Sequence, residues 1–182
     1  MRDAVPPNIE SIFSASAIAE RIEGLASGIA AARLEGLLVV AVLKGSFVFA
    51  ADLIRALHRA GLSPEVDFIS LSSYRSGTQS SGRIEILRDI ETDVRGRNVL
   101  LIDDILESGR TLAFAKDLIV ARGAARVLSC VLLDKPVPRA ANIAADMRAF
   151  ECPNVFVVGY GMDLAHRFRE LPFVGRVMPE AP

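Results

Sequence analysis

The chain has 182 residues, of which 51% are hydrophobic, and a formal net charge of -1. That balance suits one folded domain with a substantial core and argues against disorder. No apolar run approaches the roughly 18 residues of a membrane-spanning helix, residues 1–7 lack the apolar core of a signal peptide, and the near-neutral charge gives general nucleic-acid binding no support.

Pro6 and Pro7 disfavour helix, so residues 1–13 are expected as an extended arm. Ser14 or Ser16 can cap a helix over about 16–33, with Ile18, Ile22, Leu25 and Ile29 on one face. Residues 37–43 are continuously apolar and suit a strand covered on both faces. A second helix is expected over about 47–59, with Phe47, Ala51, Ile54 and Leu57 facing inward and Gly61 ending it. Residues 65–71 read as the next strand. The stretch 72–83 holds almost no apolar side chain besides Tyr74 and reads as a loop or lid. Residues 84–87 read as a returning strand, and 93–97 as a charged turn.

From Val99 to Ile102 the chain is apolar again, and Asp103 and Asp104 follow at once. Ile105 and Leu106, a small polar turn at Glu107, Ser108 and Gly109, and a helix from Arg110 to about Ala121 complete a strand–loop–helix unit. In open α/β sheets such junctions bind ligands, and the helix start favours an anion such as a phosphate. The two acids have no such use for a phosphate and point to hydroxyls or a cation beside it. Gly123 closes the helix. Residues 126–133 form another apolar strand, residues 136–154 with three prolines read as irregular, and residues 155–159 read as a short final strand. Residues 160–170 read as a turn with one or two helical turns. The expected fold class is α/β, a single domain over 1–182 with a central, mainly parallel sheet flanked by helices. Cys130, in a strand interior, and Cys152 lack metal-type or redox-type spacing and read as reduced thiols of a cytoplasmic protein. No internal repeat or low-complexity segment is present.

Four clusters lie just beyond predicted strand ends: Lys44-Gly45-Ser46, Asp103 to Thr111, Asp134-Lys135, and Asp163 with Arg167 and Arg169. Parallel strands bring such ends to one rim. Together the clusters supply cations, carboxylates and an anion-binding turn, the parts needed for a phosphorylated sugar with a metal. His58 and His166 sit in charged surroundings and read as surface residues.

Several ordered motifs carry a family resemblance. Residues 99–112 run apolar strand, two acids, two apolar residues, then an acid, Ser, Gly, a variable residue and Thr. Leu43-Lys-Gly-Ser-Phe47, Ser72-Ser-Tyr74, Leu133-Asp-Lys135 and Phe156-Val-Val-Gly-Tyr-Gly-Met-Asp163 accompany them. Over roughly residues 38–177 the chain resembles the purine phosphoribosyltransferases of the type I fold, specifically the hypoxanthine-guanine family. The first motif alone would indicate only the wider phosphoribosyltransferase class.

The resemblance implies transfer from phosphoribosyl diphosphate (PRPP) to a 6-oxopurine, giving the nucleoside monophosphate and pyrophosphate with Mg2+. It implies a small hood of purine-side elements within 134–182 and a flexible lid within 72–88. Asp103 and Asp104 would hold the ribose hydroxyls, directly or through the metal, and Asp163 a second magnesium. Ser108, Gly109, Arg110 and Thr111 would cradle the 5′-phosphate, with Arg110 at the family's variable position. Lys44, Gly45 and Arg169 would bind pyrophosphate; the peptide bond entering the lysine is often cis in the family. Lys135 would donate to the 6-oxo group, Phe156 would stack on the base and the Val157 backbone would meet its edge. Ser73 and Tyr74 would close as the lid. The family forms dimers and tetramers, so a homodimer or homotetramer is expected.

One departure stands at Glu107. The family normally has Asp there, where it exchanges a proton with purine N7. Glutamate can do the same acid–base work, but its extra methylene moves the carboxylate by about 1.5 Å. Two other readings stay open on the sequence. One is a related enzyme for xanthine or another base. The other is a nucleotide-sensing, RNA-binding regulator on the same fold, which wants a basic face that the composition does not offer.

Overall fold

The computed structural model describes residues 8–76 and 79–178, apart from the side chains of residues 73–83. Its elements are β1 (Ile9–Phe13), α1 (Ala15–Ala31), β2 (Leu38–Leu43), α2 (Phe47–Arg59), β3 (Glu65–Ser76), β4 (Gln79–Arg88), β5 (Asn98–Leu106), α3 (Arg110–Ala121), β6 (Arg126–Asp134), β7 (Met147–Glu151), β8 (Val157–Val158) and β9 (Val174–Val177). The main sheet has six strands in the order β4-β3-β2-β5-β6-β7. Its neighbours are parallel except β3 and β4, which form an antiparallel pair. A separate three-stranded sheet, β1-β9-β8, is antiparallel.

The central strands carry continuous apolar runs, 38–43, 99–102 and 130–133, because both their faces are covered. Val39 and Ala41 of β2 and Leu100 and Ile102 of β5 pack towards Ile18, Ile22 and Ile29 of α1 and Phe49, Leu53 and Leu57 of α2. Leu38, Val40, Val42, Val99 and Leu101 pack on the other face, towards Leu112, Ala115 and Ile119 of α3. Period-two alternation thus divides one apolar run between two cores. Ser14 caps α1, its Oγ accepting from the Ala17 N–H at 3.2 Å. The small sheet is tied to the large one by stacked rings: Phe13 of β1 lies 4.3 Å from Phe150 of β7, centroid to centroid.

Several expectations change. The inward face of α2 is Phe49, Ala50, Leu53, Ala56 and Leu57, whereas Phe47 is 45% exposed and Ala51 is exposed. Apolar residues surround the start of this helix, so the sequence supports more than one phase. The stretch expected as a loop or lid is largely a hairpin, because β3 runs on to Ser76 and β4 begins at Gln79. Its backbone groups pair with each other, which needs no apolar side chains. The irregular 136–154 segment contains β7, an edge strand on β6. The arm contains β1, which pairs with β9 near the other end of the chain. The final strand shortens to β8, and residues 160–170 hold turns and isolated bridges rather than helix.

Asp67 of β3 fastens the hairpin's exit. Its Oδ2 accepts from the Glu91 and Thr92 N–H groups at 2.8 Å each, and its Oδ1 from the Phe68 N–H at 2.7 Å. Burial pushes its pKa up, but the hydrogen bonds from Thr92, Phe68 and Glu91 outweigh that and hold it below the ordinary value of 3.8. A carboxyl with a folded pKa below its unfolded one stabilises the fold above the unfolded value and loses that contribution as pH falls through the folded value. Asp67→Asn is therefore expected to lower stability by about 1 kcal/mol at pH 7. In urea unfolding the gap from wild type should shrink below about pH 4. An equal gap at pH 7 and pH 3 would contradict this account.

Candidate active site

Parallel register brings the predicted clusters to one rim. Leu43 is paired with Ser70, Ile105 with Leu133, and Leu106 with Asp134. The residues that leave β2, β3, β5 and β6 therefore surround one opening. A cavity of about 450 Å3 lies there, and its lining includes Lys44, Gly45, Asp104, Glu107, Lys135, Phe156, Val157, Asp163 and Arg169. Two larger hollows lie along α1: one of about 850 Å3 that shares no lining residue with this cavity, and one of about 680 Å3 that meets it at Arg169.

Asp103 and Asp104 lie near the carboxyl end of β5, before Ile105 and Leu106. Asp103 is 5% exposed and Asp104 faces the cavity. The Asp104 N–H donates to Asp103 Oδ1 and the Ile105 N–H to Asp104 Oδ1, each at 3.0 Å. Burial, reinforced by the neighbouring Asp104 charge, pushes the Asp103 carboxyl well above the usual range. Burial also raises Asp104, although hydrogen bonds and the Arg169 charge pull the other way. Adjacent carboxylates stripped of water favour a cation, hydroxyl donors or a proton between them.

Gly45 presses on this pair. A Cβ there would overlap the Asp104 carboxylate, so only glycine lets the β2–α2 turn come this close. The Leu43–Lys44 peptide bond is cis. Ser46 is buried, and its hydroxyl donates to the Val42 carbonyl at 2.5 Å, which ties the turn to its strand. Lys44 is exposed at the cavity edge.

Ser108 to Thr111 carry β5 into α3. Gly109, at φ 77°, is the N-cap, and the Ser108 Oγ accepts from the Arg110 N–H at 3.4 Å. The first turn of a helix presents N–H groups without intrahelical acceptors, which suits an anion. The loop before β7 supports this turn from below: the Ala140 and Ala141 N–H groups donate to the Ser108 carbonyl at 2.9 and 3.2 Å.

The rest of the lining comes from the end of β6, next to β5, and from β8 and the segment after β8. Lys135 is buried, and its Nζ lies 3.0 Å from Glu107 Oε1. Asp134 beside it is bound by Arg139 and Arg148. Phe156 is 56% exposed beside the cavity, and Val157 is buried. Arg169 donates to the Gly161 carbonyl at 2.6 Å and pairs with Asp163 at 2.7 Å. Gly161 itself packs on the Gly45 carbonyl, so this part of the lining rests on the turn after β2. His58 and His166 are exposed, and His166 uses its backbone N–H on Asp163. The side chains of Ser73 and Tyr74 lie outside the described residues.

The sequence motifs include Ser72 but not Ser70, Leu71 and Leu87, which also line the cavity. The signal for Ser70 is its parallel pairing with Leu43, which sets it level with the same rim. Tyr160, inside the 156–163 motif but given no role there, donates to Asp52 of α2. That tie holds the turn after β8 against the helix that follows Lys44-Gly45.

The phosphoribosyl transferase domain family matches residues 8–164. The chain is 42% identical over 142 residues to the hypoxanthine phosphoribosyltransferase of Escherichia coli (strain K12), covering 78% of both chains. It is 49% identical over 143 residues, 79% of its length, to the bifunctional protein TilS/HprT of Listeria monocytogenes, and spans 22% of that longer protein. Its fold matches the Trypanosoma cruzi hypoxanthine phosphoribosyltransferase in complex with the product IMP, with a TM-score of 0.88, 34% identity and 100% of each chain covered. On these grounds, together with the motifs at the strand ends, the chain belongs to the phosphoribosyltransferase family, in its hypoxanthine-guanine group.

Proposed function

We propose that the chain transfers the 5-phosphoribosyl group from PRPP to hypoxanthine or guanine, releasing pyrophosphate in purine salvage. The observation that carries this reading is that one cavity gathers two kinds of group. Lys44, Asp104 and Arg169 form the first and Lys135 with exposed Phe156 the second, and the helix-capping turn follows Glu107 at the rim. The first suits a phosphorylated sugar and the second a flat base with an oxygen at its edge.

The reaction breaks the C1′–O bond, leaving positive charge on the ribose and negative charge on pyrophosphate. In this reading Asp103 and Asp104 bind the ribose hydroxyls and offset the charge on the ring. Ser108, Gly109, Arg110 and Thr111 hold the 5′-phosphate, which fixes the sugar for attack. Lys44, the Gly45 backbone and Arg169 receive pyrophosphate. Lys135 donates to the 6-oxo group and so selects against adenine, whose amino group there is also a donor. Phe156 stacks on the base, and Val157 meets its edge through the backbone. Glu107 exchanges the N7 proton. Ser73 and Tyr74 belong to a lid that excludes water, which would otherwise compete for the ribose cation.

Phosphoribosyltransferases generally use Mg2+ with PRPP, and the donor set fits that ion. Among the described residues no group of three or more His, Cys, Asp and Glu side chains converges as a metal cage. Mg2+ needs no cage, since it takes one or two carboxylates alongside substrate oxygens and water. Asp103 and Asp104 would supply such oxygens at the ribose, and Asp163 at pyrophosphate. When bound, the ion neutralises the departing pyrophosphate. The full reading takes residues 1–182 as one catalytic unit in a cytoplasmic homodimer or homotetramer, supported by its high apolar content. No helix of the described residues is long and apolar enough to cross a membrane.

The deciding assay supplies PRPP, Mg2+ and, in turn, hypoxanthine, guanine, xanthine and adenine, with chromatographic detection of nucleotide. Product from hypoxanthine or guanine is expected, with adenine inactive. Product from none of the four would overturn the enzyme reading, and product from xanthine alone would reassign the base. Glu107→Gln is expected to lower turnover about 100-fold or more, with PRPP binding by calorimetry nearly unchanged. Full activity in that variant would remove Glu107 from the mechanism.

A further inference from the structure

Glu107 and Lys135 leave adjacent parallel strands at the same level. Leu106 of β5 is in register with Asp134 of β6, so the next residue of each strand emerges beside the other. The Lys135 N–H donates to the Leu106 carbonyl at 2.9 Å and continues the ladder to this point. There Lys135 Nζ donates to Glu107 Oε1 at 3.0 Å.

The two partners are unequal. The lysine side chain is 6% exposed and that of the glutamate 51%. Asp134 does not compete for the ammonium, because Arg139 takes its Oδ1 and Arg148 its Oδ2, the latter at 3.0 Å. The lysine is thus the fixed member, and the exposed carboxylate on a flexible stem is the one that gains a position. The contact depends on the length of the side chain. An aspartate at 107 would draw its carboxylate back by about 1.5 Å, which would open the 3.0 Å contact beyond hydrogen-bond range.

We propose that Lys135 is a positioning residue for Glu107. Its buried ammonium holds the glutamate carboxylate at the place where the base's N7 proton is exchanged, in addition to facing the 6-oxo atom. This rests on the assignment of the N7 proton to Glu107. It goes beyond that assignment by giving the lysine a role that persists with a base lacking the 6-oxo group.

Unsubstituted purine is such a base: it keeps N7 and N9 but has no oxygen at position 6. The experiment measures kcat and KM for hypoxanthine and for purine in wild type, Lys135→Met, Glu107→Gln and the double variant. PRPP and Mg2+ are saturating, and nucleotide is counted by mass spectrometry at high enzyme concentration, still below that of the base, so that slow turnover is measurable. A positioning role predicts that Lys135→Met lowers kcat for purine by roughly 10- to 100-fold, the scale of an ångström misplacement. It also predicts that the same change adds nothing once Glu107 is already Gln, because both substitutions remove one shared effect. Wild-type kcat for purine in Lys135→Met would overturn the proposal, even where hypoxanthine turnover falls. So would equal losses for purine in the presence and absence of Glu107. Lys135→Gln, read by the same criteria, serves if the Met variant does not fold. Failure of the parent assignment looks different: Glu107→Gln would retain full hypoxanthine turnover.

Discussion

Two carboxyl groups near the end of an enclosed central strand set the terms for the rest of the molecule. β5 lies between β2 and β6 and is covered on both faces, so Asp103 and Asp104 emerge where little water can reach them. Burial raises both pKa values, and the Asp104 charge further opposes ionisation of Asp103. Such a pair costs stability in the free protein. The cost makes physical sense at a place that meets hydroxyls and a cation. The glycine turn after β2 is shaped around the same pair, and a single Cβ at Gly45 would disturb it.

The small sheet gives the site its second wall. β1 and β9 come from opposite ends of the chain, and Ile9 pairs with Val177. Closing them together places β8, Phe156 and the turn at Gly161 above the rim. Gly161 against the Gly45 carbonyl, Arg169 on the Gly161 carbonyl and Tyr160 on Asp52 join this wall to α2 and the turn before it. The groups proposed for sugar and for base therefore share a mechanical contact as well as a cavity.

What the sequence made legible follows from burial. β2, β5 and β6 announce themselves because strands covered on both faces hold continuous apolar runs. Asp103, Asp104, Ser108 and Lys135 could be placed at one rim because parallel strands end together. β1, β7 and β9 were hidden because each is short, and the pairing of β1 with β9 spans almost the whole chain. The phase of α2 was ambiguous because Phe47, Val48 and Phe49 are all apolar, and only the core selects Phe49. The β3–β4 hairpin was unreadable from apolar alternation, since its outer half is Ser, Arg, Gln and Gly. The Glu107–Lys135 contact required the register of β5 on β6, which residue types alone do not supply.

The central claim is that the Asp103–Asp104 pair is retained for PRPP and not for the fold. Calorimetric titration of PRPP with Mg2+ into the Asp103→Asn/Asp104→Asn variant tests it most directly, with folding checked by urea unfolding. The account predicts a folded protein at least as stable as wild type, because two carboxyls whose ionisation burial opposes are gone. It also predicts that PRPP affinity falls by tenfold or more, about 1.4 kcal/mol. A folded variant that binds PRPP as tightly as wild type would contradict it.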